Sequence, residues 1–451
     1  MKKWLSLFLV MALSLSVCAL AQAEEEKIYE GVTIQWQRYP AGDLEAQTAW
    51  NQSIVDAFYE ETGCTVEVDM VSWEDANTKV LSAITADEGP DVVQIIETAA
   101  GQIYSSGAFV ALDEYIDKFG GYDAYLQAGL DYGTYDGVLY GLPWGGDTRL
   151  YYTRQSVLDA AGIESIPDDW TWSDFLDVLD KIKAAGYEAP FATMGSISTD
   201  VSFYYYYTLI SNGGNIISED NTTALFDSEE ARQTLKQIAD LVVDGYMPAS
   251  FAELSEDTLT AAFINGDVQM VPLSSGQVAA AAAAGVDDIV ALYPPRGEDG
   301  TYGGIMCISL MSVPAYSEHQ DAAMDFLAFL NSKEWQVSYN AYCSWIPGRH
   351  DAGQDEAFSE GWSPALVNGM AQATSFMPGN VHTVAINSMM VEELANFYAS
   401  LSRTTPTPTR KSTNASTGCR RLRRQSWTAN RPNRIGRGGD PATGLPSRPA
   451  F

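Results

Sequence analysis

Between residues 32 and 96, short runs rich in β-branched residues alternate with longer stretches whose apolar residues recur every three or four positions. The runs VTIQW, CTVEVDMV and PDVVQII predict strands by their length and composition. Between the first two runs, Trp50, Ile54 and Phe58 fall on one face of a helix, and the next interval repeats that spacing. The order strand, helix, strand, helix, strand predicts an α/β domain with a mostly parallel sheet.

Capping residues and glycines mark where the predicted helices begin and end. Gly63 predicts the end of the first helix. Farther along, Thr171 and Asp174 have the spacing of a capping box in front of an amphipathic stretch. The segment FDSEEARQTLKQIADLVVDG has the same form, with Asp227 as its predicted cap. Residues 277–286, QVAAAAAAGV, predict a packed helix because alanine has the highest helix propensity.

Charge is distributed unevenly along the 451 residues. The formal net charge is −33, yet residues 403–451 carry 11 basic residues and one acidic residue. The first 402 residues therefore hold 15 basic and 58 acidic residues, a net charge of −43. So acidic a surface repels phosphate groups, which argues against nucleic acid and anionic membranes as partners. A neutral or cationic solute fits the charge.

Both ends of the chain differ in composition from the body. Residues 1–23, MKKWLSLFLVMALSLSVCALAQA, have the basic start, the apolar run and the Ala-Gln-Ala ending of a secretory signal peptide. We expect cleavage after Ala23, and a lipoprotein anchored at Cys18 is the alternative. Residues 403–451 lack a helical or strand period, which favours either a basic, disordered tail or a frameshifted translation.

The side-chain inventory contains no motif of a metal centre or a common enzyme class. His319, His350 and His382 are far apart and have no zinc-binding spacing. No G-x-S-x-G elbow or phosphate-binding glycine loop is present. We therefore expect no metal, no cofactor and no catalytic residue, and three buried thiols in the body. Because glycoside hydrolysis needs only two facing carboxylates, a secreted glycoside hydrolase stays open as an alternative.

Aromatic residues are abundant, with 11 Trp and 24 Tyr. Their rings can stack on the C–H faces of sugars, while their N–H and O–H groups supply polar contacts. Most rings in a globular protein lie in its core, so the count alone identifies no site. It does make a carbohydrate one candidate ligand.

The segment TAWNQSIVDAFYEETGCTVEVDMVSWEDANTKVLSAITADEGPDVVQI resembles the opening of the family-1 extracellular solute-binding proteins of bacterial ABC importers, the maltose-binding-like group. The likeness continues through GVLYGLPWGGDTRLYYTRQSVLDAAGI and HQDAAMDFLAFLNSKEWQ, and it covers roughly residues 32–402. The residues that match the tryptophan-led helix and the following strand of that family are Trp73, Gly89, Pro90, Asp91 and Val92.

The resemblance implies an α/β, two-lobed periplasmic-binding-protein-like fold with hinge strands and a ligand cleft between the lobes. The first lobe would take residues 27–143 and 302–342, the second residues 150–301 and 343–402, with residues 144–149 as the crossing. It also implies a monomer that closes on its ligand and docks on the permease subunits of an ABC importer. No covalent chemistry is required, so we expect no enzyme activity.

Ligand-binding residues are expected at the carboxyl ends of parallel strands and on the crossing. Trp144 would stack on a sugar ring or pack at the lobe junction, while Glu97 and Asp147 would accept hydrogen bonds from hydroxyl groups. The positions selected in this way are Tyr39, Asp43, Glu97, Trp144 and Asp147.

Four further candidates lie where the family returns to its hinge, in YGGIM and YCSWIPGR. They are Gly303, Gly304, Trp345 and Arg349. Trp345 could equally serve hinge packing, and the four tyrosines at 204–207 could supply one ring to the cleft.

The sequence thus predicts an exported protein that captures a disaccharide or oligosaccharide for an ABC importer. The acidic body leaves a cationic solute, a polyamine or ferric ion, as the alternative ligand.

Overall fold

The computed structural model describes residues 27–404. The predicted signal peptide, with both of its processing alternatives, and the tail beyond residue 404 lie outside this range. Within it, strands and helices alternate along the chain. The strands are β1 (Thr33–Arg38), β2 (Thr65–Met70), β3 (Val92–Ile96), β4 (Thr134–Tyr135), β5 (Val138–Leu139), β6 (Leu142–Thr148), β7 (Leu150–Arg154), β8 (Val271–Leu273), β9 (Ile289–Leu292), β10 (Met306–Ser312) and β11 (Ile346–Pro347).

The α-helices connect these strands and cover their faces. They are α1 (Leu44–Thr62), α2 (Ala76–Ala86), α3 (Glu97–Tyr104), α4 (Gln127–Gly133), α5 (Gln155–Ala160), α6 (Trp172–Ala184), α7 (Thr199–Ser211), α8 (Glu229–Val243), α9 (Glu256–Asn265), α10 (Ser275–Ala283), α11 (Gln320–Leu330), α12 (Lys333–Cys343), α13 (His350–Gly353), α14 (Ser363–Gln372) and α15 (Thr383–Thr404). None of them, within the described part of the chain, is long and apolar enough to cross a bilayer.

Two sheets carry the architecture. The larger sheet has six strands in the order β11, β6, β10, β3, β1, β2, and the smaller has three in the order β8, β7, β9. β1 pairs with β2 and β3 in parallel, which confirms the prediction from the alternating pattern. β10 runs antiparallel to β3 and to β6. Only Arg149 separates β6 from β7, so the chain passes from the larger sheet to the smaller at that residue.

The local signals placed α1 and α6 correctly. In α1, Trp50, Ile54 and Phe58 are all buried, as their spacing predicted, and the helix ends at Gly63 with φ 79°. Glycine adopts this left-handed conformation without the clash that a Cβ would cause. At the start of α6, the predicted capping box is formed in both directions.

The predicted cap of α8 is wrong by one residue. Ser228, and not Asp227, accepts a hydrogen bond from the Ala231 amide. Asp227 is exposed and instead pairs with Arg232. Both residue types cap helices well, so the local sequence did not distinguish between them. The alanine-rich segment after β8 is a packed helix, as predicted, with Val278 and Ala281 buried.

One segment near the predicted lobe boundary belongs to the larger sheet. β11 lies three residues beyond the boundary that we placed at 342/343, and Ile346 pairs with Gly146 of β6. Two of the three thiols within the described range, those of Cys64 and Cys343, are buried as expected. The third, Cys307, is only half-buried, because it lies on the face of β10 that borders a cavity.

Candidate functional site

A cavity of about 770 Å³ lies between the larger sheet and the helices that accompany the smaller sheet. One wall comes from the larger sheet: the segment after β1, the start of α2, the junction of β3 with α3, and the middle of β6 and β10. The facing wall comes from α7, α9, the residue before α10, and α15. The strands and helices of the two walls are far apart in the sequence, so the cavity is a product of the tertiary fold.

The floor of the cavity includes a stretch of β6 without side chains. A Cβ on Gly145 would lie 1.9 Å from Asn340 Oδ1, and one on Gly146 would lie 1.9 Å from the carbonyl oxygen of Cys307. Neither position has room for a larger residue, because carbon atoms cannot approach oxygen so closely. The glycine pair thus lets α12 and β10 approach β6 closely and exposes backbone to the cavity.

Two tryptophans form an aromatic corner at the cavity. The ring centroids of Trp73 and Trp345 are 6.2 Å apart, and the planes meet at 62°. The Trp73 indole N–H donates to the Pro40 carbonyl at 2.8 Å, which holds its ring in place. Because 40% of Trp73 is nevertheless exposed, its ring can offer apolar surface to a ligand.

The charged residues that line the cavity are mostly acidic. Four carboxylates, those of Glu74, Glu97, Asp147 and Glu256, face one guanidinium, that of Arg149. Asp147 Oδ1 accepts a hydrogen bond from Arg149 Nη1 at 2.5 Å, so these two charges offset each other. The remaining groups give the cavity an excess of hydrogen-bond acceptors and negative charge. Hydroxyl and amide groups add to the lining, from Asn77, Ser274, Ser309, Asn387 and Ser388.

Of the nine residues predicted to bind ligand, three line the cavity. Glu97 is the first residue of α3, Asp147 is the sixth of the seven residues of β6, and Trp345 lies just before β11. Glu97 directly follows the parallel strand β3, as the argument from strand ends expected. Asp147 was selected on the crossing, and Trp345 was selected where the resemblance places the return to the hinge.

Trp144 is not a cavity residue. Its side chain is fully buried, and its ring centroid lies 4.8 Å from that of Tyr339 and 6.1 Å from that of Trp50. Along a strand successive side chains point to opposite faces, and at this position α1 and α12 cover the face on which the ring lies. Stacking of Trp144 on a ligand does not fit this structure, and the alternative of packing does.

Tyr39 is also buried rather than facing the cavity. Its hydroxyl donates to the carbonyl of Gln94, and its ring packs 4.9 Å from that of Trp73. Burial raises the pKa of this phenol, so that it stays neutral and keeps donating. Tyr39 therefore packs against the Trp73 ring of the aromatic corner without lining the cavity itself.

Asp43 and Arg349 serve local structure. Asp43 is the cap of α1, where its carboxylate accepts from the Ala46 amide at 2.9 Å. Arg349 donates to both oxygens of Asp351 and to the Phe119 carbonyl. The same hydrogen bonds to Arg349 lower the pKa of Asp351 below its ordinary value. Neither residue lines the cavity.

Gly303 and Gly304 are packing positions outside the cavity lining. A Cβ on Gly303 would lie 2.1 Å from the Tyr207 carbonyl oxygen, and one on Gly304 would lie 2.4 Å from the Tyr302 ring. The four tyrosines at 204–207 are all buried in α7, and the ring that this helix gives to the cavity is Phe203.

Several cavity residues were missed by the sequence argument. Trp73 could have been selected, because it follows the carboxyl end of the parallel strand β2. Cys307 and Ser309 lie on an antiparallel strand, and Glu256 and Asn387 lie on helices of the facing wall. No rule about parallel strand ends applies to these four, so only the structure could reveal them.

Within residues 27–404, no three His, Cys, Asp or Glu side chains are arranged to hold a metal ion.

Comparison with known protein families assigns the chain to a family. Residues 53–364, well over half of its length, match the family described as bacterial extracellular solute-binding protein. The chain belongs to this family. Members of this family are solute-binding proteins, and the cavity between the larger sheet and the facing helices is the candidate solute site.

Solved structures show which fold this solute-binding protein has. Maltose-bound MalE3 of T. maritima superposes with a TM-score of 0.65 at 18% identity, covering 83% of this chain and 99% of that one. The sugar-binding protein MalE of Xanthomonas citri superposes with a TM-score of 0.69 at 18% identity, covering 82% and 98%. These likenesses confirm the α/β periplasmic-binding-protein fold that the sequence predicted.

A curated relative is the lactose-binding protein of Rhizobium radiobacter, which is 36% identical over 118 residues. The match takes in 25% of this solute-binding protein and spans about a quarter, 26%, of that relative's length.

Proposed function

We propose that this chain captures a disaccharide or short oligosaccharide in the cavity and delivers it to the permease subunits of an ABC importer. The observation that carries the proposal is the aromatic corner of Trp73 and Trp345 beside the carboxylates of Glu74 and Glu97. Aromatic rings favour the C–H faces of a sugar, and carboxylates accept hydrogen bonds from its hydroxyl groups. A sugar uses both kinds of group at once.

The size of the cavity supports a small ligand of this kind. Its volume of about 770 Å³ lies within the range of roughly 300–1,000 Å³ that small-molecule sites occupy. The relatives point the same way, since one is a lactose-binding protein and one is a maltose-bound structure.

Capture would proceed by closure of two lobes. We place the first lobe at residues 27–143 and 302–342 and the second at residues 150–301 and 343–402, with β11 packed on the first. A ligand that contacts both walls stabilises the closed state by its differential affinity. The closed monomer would then dock on the permease, and the family supports an extracytoplasmic location. Cleavage after Ala23, or lipidation at Cys18, would complete export.

A second candidate ligand is a cationic solute, such as a polyamine or ferric ion. The observation that favours it is the excess of four carboxylates over one guanidinium in the cavity lining. The aromatic corner favours the sugar over ferric ion, because a small metal ion gains little from two indole rings. The ammonium groups of a polyamine could use both the rings and the carboxylates, and the ligand screen separates polyamine from sugar.

A thermal-shift screen of the full chain separates these ligands. Lactose, maltose, maltotriose, spermidine and ferric citrate would each be added, since a ligand that binds only the folded state raises its melting temperature. We expect a sugar to raise the melting temperature of the native chain and to have much less effect on Trp73→Ala. A shift with spermidine and none with any sugar would contradict the carbohydrate assignment. A chromogenic glycoside serves as a control, and its turnover would contradict a role in binding alone.

A further inference from the structure

Asp147 lies at the point where the chain passes between the two sheets. It belongs to β6 of the larger sheet, and Arg149, two residues later, is the single residue between β6 and β7. Only 5% of Asp147 is exposed. A carboxylate buried at such a junction must find hydrogen-bond donors within the protein.

The two oxygens of Asp147 bind donors on both sides of the junction. Oδ1 accepts from Arg149 Nη1 at 2.5 Å. Oδ2 accepts from the amide of Ser275 at 2.7 Å and from its hydroxyl at 3.0 Å. Ser275 is the first residue of α10, the helix between β8 and β9 of the smaller sheet. One carboxylate therefore links a strand of the larger sheet to a helix of the smaller one.

These bonds leave little capacity for a ligand. A carboxylate has about four lone-pair positions, and donors of the protein already use three of them. The groups that the carboxylate holds are better placed to contact a ligand. Arg149 lines the cavity, and Ser274, next to the anchored residue, lines it as well.

The anchored end of α10 is also connected to α9. The amide of Ser274 donates to Glu256 Oε1 at 3.2 Å, and Gln277 Nε2 donates to Asp257 Oδ1 at 2.9 Å. Glu256 is itself a cavity residue. A shift of α10 relative to β6 would thus move several groups of the facing wall.

We propose that Asp147 is a positioning residue that ties β6 to α10 and orients Arg149, and that it sets the geometry of the facing wall instead of contacting the ligand. The part that concerns ligand affinity rests on the proposed carbohydrate function. The tie between the sheets does not, so the two can be tested separately.

The first experiment needs no ligand. Amide hydrogen exchange in the first turn of α10 would be compared between the native chain and Asp147→Asn, which has no charge and whose single side-chain oxygen cannot serve both Arg149 and Ser275. Losing hydrogen bonds to a charged acceptor should speed this exchange by roughly 10- to 100-fold if local opening controls it. Ser275→Ala, which keeps the amide donor, should show a smaller increase. Glu97→Gln, a matched change of another cavity carboxylate, should leave α10 unaffected. Unchanged exchange in Asp147→Asn would overturn the tie.

The second experiment tests how the tie affects binding, with lactose and its monodeoxy analogues as probes. We expect Asp147→Asn to weaken all of them by a similar factor, about 10-fold or more. If Glu97 accepts from a sugar hydroxyl, Glu97→Gln should bind lactose more weakly than the native chain does, but should bind the one analogue that lacks this hydroxyl equally well. If Asp147→Asn also bound one analogue as well as the native chain does, Asp147 would contact the ligand directly and the positioning role would be overturned.

The outcomes remain separable. If lactose does not bind the native chain, the ligand assignment fails while hydrogen exchange still decides the tie. If Asp147→Asn does not fold, Ser275→Ala decides it, because this variant removes one hydroxyl donor from the same carboxylate. Unchanged exchange in Ser275→Ala would then overturn the proposal.

Discussion

Two groups of tryptophans on or next to the larger sheet differ in what their rings contact. In the buried group, Trp50 and Trp144 pack with Tyr339. In the cavity group, Trp73 and Trp345 form an open corner. The buried group surrounds the guanidinium of Arg38, which lies 4.8 Å from the Tyr339 ring centroid and 5.5 Å from that of Trp50. In the open corner, aromatic ring surface of the same kind is not covered by the protein and borders the cavity.

The comparison shows that neither residue type nor position at a strand decides which ring meets a ligand. Trp144 is adjacent to Gly145, which lines the cavity, yet its ring points to the other face of β6. There α12 covers it, through Tyr339 and through Asn340, whose side-chain amide donates to the Trp144 carbonyl. What a tryptophan does here depends on whether a distant helix packs over it.

The largest effect is expected from Trp144→Ala. Removing a fully buried tryptophan should lower the free energy of unfolding by about 3–5 kcal/mol, because lost transfer energy adds to the cost of a cavity. Urea denaturation measures this. Trp73→Ala, which changes a partly exposed ring, is the matched control and should cost about 1 kcal/mol or less. A stable Trp144→Ala variant that lost ligand binding would restore the stacking role that its sequence position suggested.

Tyr339→Phe should destabilise the buried group through one hydrogen bond. The Tyr339 hydroxyl accepts from Arg38 Nη2 at 3.0 Å, and Arg38 is fully buried and also donates to Asn51. Hydrogen bonds to charged groups contribute about 1.5–3 kcal/mol, so a loss of that size is expected in urea denaturation. Tyr39→Phe, at another fully buried tyrosine, removes a bond to the neutral Gln94 carbonyl and should cost less. Equal losses would show that the buried charge plays no special part.

In the cavity group, Trp73→Ala should weaken sugar binding and leave the fold intact. Loss of one well-placed aromatic contact typically costs about 2 kcal/mol, or roughly 30-fold in Kd. Isothermal titration calorimetry with the sugar found in the thermal-shift screen measures the change. Trp73→Phe keeps part of the ring surface, so its affinity for the sugar should lie between that of the native chain and that of Trp73→Ala. Unchanged affinity in Trp73→Ala would remove the main support for the carbohydrate proposal.

The smallest effect is expected in the rates at which the buried and the cavity cysteines react with an alkylating reagent. Burial raises the pKa of Cys343 to about 12 and that of Cys64 to about 11, so at pH 8 very little of either is thiolate. Cys307 is half-buried at the cavity and should react faster with iodoacetamide. Bound sugar should slow labelling of Cys307 alone, as followed by peptide mass spectrometry. As the pH is raised towards 10, Cys64 should begin to react before Cys343. Labelling of Cys307 that sugar does not slow would argue against this cavity as the ligand site.

The sequence by itself determined the elements and much of the fold. The periods of VTIQW, of Trp50 to Phe58 and of PDVVQII depend on contacts within a few residues, and so do the capping box at Thr171 and the left-handed end at Gly63. Local patterns of this kind predict parallel strands connected by helices, since that order of elements permits few topologies. Glu97 was found because it follows a parallel strand, whereas Asp147 and Trp345 were found because the resemblance places the crossing and the return to the hinge at their positions.

The tertiary structure decided which side chains face the cavity and which are already occupied. Ser275 lies 128 residues from Asp147 in the sequence, and Asn340 lies 196 residues from Trp144. No local pattern reports such contacts, because hydrogen bonding and burial depend on what packs against a residue from elsewhere in the chain. For that reason Asp147, which the sequence predicted to bind ligand, instead bonds to Ser275 of α10, and the ring of Trp144 lies in the core.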